Sequence, residues 1–112
     1  MRFDLTDLSL FRYVVEAGTI TRGAKRANLA LAAASTRIRN MEHALGAPLL
    51  VRGHHGITPT QAGRTLLQHA RTILGQAERL REDLGAYAAG LTGQVRLLSN
   101  TNALTEFLPE TL

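Results

Sequence analysis

Apolar positions recur at helical intervals along most of the chain, and the intervals break where the residues can turn. Leu5, Leu8, Phe11 and Val15 repeat at spacings that predict a first helix up to Ala17. Asp4 stands where an N-cap belongs, and Gly18 permits a left-handed exit. A short second helix is expected from Thr19 or Thr21 to about Asn28, with Ile20, Ala24 and Ala27 inward and Arg22, Lys25 and Arg26 outward. Asn28 and Leu29 make a corner, because Asn tolerates left-handed backbone and Leu29 can plug the gap between helices.

A third helix follows from Leu31 to Leu45, closed by Gly46. Ala34, Ile38, Met41 and Leu45 fall on one side of it, which turns Ala32, Thr36, Arg39, Asn40 and His43 to the other. Ala33, Ser35 and Arg37 flank that outer stripe. Small residues and the absence of acid in its N-terminal half suit a helix whose axis approaches a DNA major groove. A solvated helix with a polar back is the plainer alternative.

The segment Val51 to Ile57 carries Gly53 and Gly56 on either side of His54 and His55, a pattern for a hairpin whose tip could approach a minor groove. Arg52 would meet phosphate or brace the hairpin. The two histidines do not read as a metal site, since neighbours on an extended loop point apart and no cysteine or nearby acid completes a ligand set. His43 and His69 read as surface or seam residues. From Thr60, a capping residue, the period tightens: Leu66, Ile73, Leu80 and Tyr87 alternate with Ala70, Ala77, Leu84 and Leu91 at strict four-three spacing. A helix rising about 1.5 Å per residue outruns a small domain beyond Gly75, so a second copy of the chain is the expected cover for the seam. Heptads leave open whether the copies run parallel or antiparallel.

These elements predict a mainly α fold: a winged helix-turn-helix over 1–59 and a long linker or dimerisation helix over 60–90. The last stretch, 91–112, reads as a hinge followed by a strand over 94–99. The 112 residues are enough for one ordinary domain and an appendage.

Charge strengthens this picture. Residues 1–65 hold nine Arg or Lys against four Asp or Glu, while residues 66–112 hold four against five, so the basic surplus sits with the expected DNA-binding half. With no cysteine, disulfides, thiolate zinc sites and cysteine nucleophiles are excluded. Asp4 and Asp7 interrupt any signal-peptide core, and no apolar run approaches membrane-spanning length, so a cytoplasmic protein without membrane contact is expected. The stretch from Gly18 to Lys25 imitates a phosphate loop, yet it places Ala24 before Lys25, lacks a following Ser or Thr, and has no strand before it. No acid pair, activated nucleophile or metal set appears, so neither an enzyme nor a cofactor is expected. The five aromatics do not cluster as an RNA-stacking platform would.

The ordered series Leu5, Leu8 and Phe11, then Val15 to Thr19, Thr21, Arg22 and Ala24 resembles the N-terminal region of LysR-type transcriptional regulators. It continues through Ser35, Ile38, Arg39, Glu42, Leu45, Gly46, Leu49, Arg52, Thr60, Ala62 and Gly63. The resemblance implies a bacterial regulator that binds double-stranded operator DNA as a homodimer, with a tetramer in a full-length form. It implies that 91–112 opens an α/β effector domain, in which Asn100 matches an inducer-contacting position. A small-molecule inducer is expected only where that domain is complete; one strand and a nascent helix form no pocket, so a fragment or a truncated regulator is expected. The chain departs from the family pattern at Ala30, Leu31 and Ala32, where relatives usually carry Ser-Gln-Pro, at Thr36 in place of Arg, and at His55 in place of a basic wing residue.

The DNA-contacting set expected is therefore Thr21, Arg22, Ala32, Ala33, Ser35, Thr36, Arg37, Arg39, Asn40, Arg52, His54 and His55. Ala32 and Ala33 are placed for thymine methyl groups. A rival reading makes the chain a helical protein–protein adaptor whose basic half is only solvated surface.

Overall fold

The structure is a computed structural model, and it describes residues 2–91. The order of elements is α1 (Leu5–Ala17), α2 (Ile20–Arg26), α3 (Leu31–Leu45), β1 (Leu50–Gly53), β2 (Gly56–Pro59) and α4 (Gln61–Leu91). The strand expected over 94–99 and the inducer-contact position Asn100 lie outside the described residues. A first compact unit runs through Thr72, past the 59/60 boundary drawn from the sequence pattern, and a second begins at Ile73.

Helix α1 starts on a reciprocal cap. The Asp4 carboxylate accepts from the Asp7 N–H at 2.8 Å, and the Asp7 carboxylate accepts from the Asp4 N–H at 3.2 Å. The helix ends at Gly18, whose φ of 84° is left-handed and whose N–H donates to the Val14 carbonyl. Its buried stripe is Leu8, Leu10, Phe11 and Val14, while Leu5 and Val15 are only half-buried. The stripe is wider than the sequence spacing suggested because α1 is central, packing against α2, α3 and β2. Gly23 lets α2 come down on α1, since a Cβ there would overlap Val14.

Thr19 caps α2 by accepting from the Arg22 N–H at 3.1 Å, and Asn28 turns the corner at φ 59°. Helix α3 begins at Ala30 with no side-chain cap and buries Ala34, Ile38 and Met41. Leu45, expected on the same inner side, is 38% exposed. The helix ends at Leu45, capped by the left-handed Gly46, and Leu49, fully buried, follows it into the core.

The wing is an antiparallel hairpin in the register Leu50↔Pro59 through Gly53↔Gly56, with His54 and His55 in its turn. Two backbone ties fix it to the helices. The Glu42 carboxylate accepts from the Leu49 N–H at 2.8 Å, and the Gly18 carbonyl accepts from the Ile57 N–H at 2.9 Å. Gly56, at φ 106°, makes the second tie reachable, because a Cβ there would press on the Gly18 carbonyl oxygen.

Helix α4 is anchored by Thr60, whose hydroxyl donates to the Pro48 carbonyl at 2.8 Å and accepts from the Gly63 N–H at 3.0 Å. Its opening turns send Leu67 into a core made mainly by Leu10, Phe11, Val14, Ile20, Ile38, Met41 and Leu49. One residue assigned to the seam by its heptad position is corrected by this packing: Ala70 is 0% exposed within the single chain and offers no surface to a second one. Leu66, half-buried, packs against the core beside Leu67.

Candidate nucleic-acid interface

The burial of Ala34, Ile38 and Met41 decides which side of α3 faces out. Leu31, Ala32, Ala33, Thr36, Arg39 and Asn40 are exposed, and Ser35 and Arg37 are half-buried at the flanks. Leu31 is 49% exposed in the first turn. An apolar N-terminal third and a polar middle thus share one uncovered face. The Arg39 guanidinium leans on its own helix, donating to the Thr36 hydroxyl at 3.4 Å.

Arg37 differs from its neighbours. Its Nη1 donates to Asp7 Oδ1 at 2.8 Å and lies 3.4 Å from Asp4 Oδ1. The hydrogen bond it donates to Asp7 is the main reason its pKa is raised, with burial opposing and the Asp4 charge adding. The arginine expected to read bases therefore clamps α3 to the capped start of α1. Sequence reading missed this because the partners lie about thirty positions apart and no periodicity links them.

Ala32, Ala33, Thr36, Arg37 and Asn40 line an open cleft of about 580 Å³, completed by Met41, Asp7 and Arg2. Arg2 was not singled out from the sequence, since it precedes the first periodic residue. Thr21 and Arg22 stand exposed in the first turn of α2, and Arg52, His54 and His55 stand exposed on the hairpin. Neither group lines the cleft. Glu42, which ties the wing to α3, also escaped assignment to a role, although it stood in the family-like series.

The seam positions that remain exposed lie in the second unit: Ile73 (44%), Leu80, Leu84 and Tyr87 (73%), with Ala77 half-exposed. Leu91 ends the described helix. Among the described residues no group of three or more His, Cys, Asp or Glu stands together to hold a metal ion, and no helix is long and apolar enough to cross a membrane.

Comparison with known proteins agrees with this geometry. Residues 5–64 match the family model described as bacterial regulatory helix-turn-helix protein, lysR family. The nitrogen assimilation regulatory protein nac of Klebsiella aerogenes is 35% identical over 94 residues, covering 84% of this chain and 31% of that protein. The chain thus spans about a third of the length of the curated relatives it matches. Among solved structures, the CbnR DNA-binding domain in complex with DNA superposes with a TM-score of 0.68 at 35% identity, over 77% of this chain and 99% of that one. The BenM DNA-binding domain bound to catB site 1 DNA superposes with a TM-score of 0.74 at 29% identity, over 80% of this chain and all of that one.

Proposed function

The chain belongs to the lysR family of bacterial regulatory helix-turn-helix proteins, and on that premise we propose that it is a sequence-specific regulator that grips operator DNA as a homodimer. The observation that carries this reading is the face of α3: Ala32, Ala33, Thr36, Arg39 and Asn40 are uncovered while the opposite side holds the core. A helix so mounted can enter a major groove. There Asn40 and Arg39 present amide and guanidinium groups to base edges, and the methyl groups of Ala32 and Ala33 meet thymine. Ser35 and Thr36 supply hydroxyls to bases or phosphate. Thr21 and Arg22 on α2, and Arg52, His54 and His55 on the wing, fit the phosphate contacts that fix register without reading sequence.

Dimerisation through Ile73, Ala77, Leu80, Leu84, Tyr87 and Leu91 would hold two such faces at a fixed separation, which calls for an imperfectly palindromic site. The described relatives are regulators, not enzymes, and a noncatalytic, cofactor-free, cytoplasmic role is part of the same reading. So are a tetramer and a small-molecule inducer, both belonging to a form with a complete effector domain.

Binding to double-stranded DNA across a salt series tests the proposal. Affinity should fall steeply, with a log-log slope of about −0.9 for each phosphate neutralised. A flat response, with self-association intact, would favour the adaptor reading.

A further inference from the structure

The cleft beside α3 holds three charged side chains, and two of them are occupied with each other. Asp7 accepts from Arg37 on one oxygen and from the Asp4 N–H on the other, and its side chain is only 13% exposed. Arg2 lines the same cleft, is exposed, and has no ion pair or hydrogen bond among the described residues. Since the Asp7 charge is answered by Arg37, the cleft keeps one uncommitted cation at its edge. That cation stands on the segment leading into α1, beside the outward face of α3 and not on it.

Position decides what such a group can meet. A helix seated in a major groove about 12 Å wide has base edges beneath it and a phosphate ridge along each side. Residues on the leading face reach bases, and residues beside the helix reach the ridge. We propose that Arg2 contacts a DNA phosphate on the α1 side of the groove occupied by α3. Its guanidinium can give two parallel N–H donors to a phosphate, so it adds affinity and register but no base preference. The Asp7–Arg37 pair serves this contact by occupying the one carboxylate that lines the cleft with Arg2. The inference rests on the DNA-binding reading above.

The test uses the 112-residue chain and duplexes of random sequence, titrated at salt concentrations from about 50 to about 200 mM. For Arg2→Ala, the log-log slope should be shallower than wild type by about 0.9 per chain. Arg2→Lys should keep most of the slope, because the charge remains. Arg79→Ala, which removes an exposed arginine from α4, should leave it unchanged. An unaltered slope for Arg2→Ala, with wild-type binding intact, overturns the assignment and spares the DNA-binding reading. Equal losses for Arg2→Ala and Arg79→Ala would mean net charge alone is at work, which also overturns it. Wild-type binding that ignores salt removes the DNA-binding reading itself.

Discussion

Helices α3 and α4 each leave one side uncovered, and the two sides differ in chemistry. On α3 the exposed face is narrow, with Ala32 and Ala33 at one end and Thr36, Arg39 and Asn40 beyond. On α4 the exposed stripe is apolar and large, running through Ile73, Leu80, Leu84 and Tyr87. A face with cationic and amide groups loses little by meeting water until a polar partner arrives. A stripe of leucines gains most from any apolar cover. On the proposed function, the first meets DNA and the second meets a second copy of the chain.

The strongest way to break this comparison is to charge the apolar stripe. Leu80→Asp with Leu84→Asp should convert dimers to monomers in sedimentation equilibrium. Operator affinity should then fall about a thousandfold, toward the non-specific level. A dimer that survives both changes refutes the seam.

Next in size is damage to the frame that carries α3. Gly23→Val drives a side chain into Val14 at the α1–α2 contact and should cost about 3 kcal/mol, read as a lowered Tm. The equivalent change at Gly85, with nothing within 4 Å of its added Cβ, should cost about 1 kcal/mol or less.

Smaller and more local effects sharpen the α3 face. Asn40→Ala should lose about 1–3 kcal/mol of operator discrimination, relaxing preference at one base position per half-site. Arg37→Ala should act otherwise. It removes a partly exposed clamp, so stability drops by about 1 kcal/mol or less while the set of preferred bases is kept. The raised pKa of Arg37 means that its own charge, and the clamp with it, is lost on the alkaline side only as pH climbs through that raised value. Deprotonation of Arg37 therefore adds nothing to a melting series near neutrality. Smallest of all, uracil in place of thymine opposite Leu31, Ala32 or Ala33 should weaken binding by a few tenths to about 1 kcal/mol per methyl lost.

Sequence periodicity revealed the elements better than their joints. The limits of α3 follow from Ala34, Ile38 and Met41 on one side and Gly46 at the end, all local signals. The hairpin followed from Gly53 and Gly56 flanking a two-residue turn. What stayed hidden is held by contacts between distant positions. Asp7 binds Arg37, Glu42 binds the Leu49 N–H, and Gly63 admits the Leu49 carbonyl. Heptad spacing alone could not show where α4 stops facing its own core. Ala70 and Ile73 occupy successive seam positions, yet one is fully buried and the other 44% exposed. The candidate site was legible as a face of α3, whereas the neutralisation of Arg37 and the placement of Arg2 needed the tertiary arrangement.

The assignment of the α3 face to DNA is tested most directly by selecting binding sites from random duplexes with the wild-type chain and with Arg39→Ala. The account predicts an enriched, imperfectly dyad-symmetric motif for the wild type, with information lost at one corresponding position in each half-site for the variant. No enrichment, or an identical motif from both proteins, would contradict it.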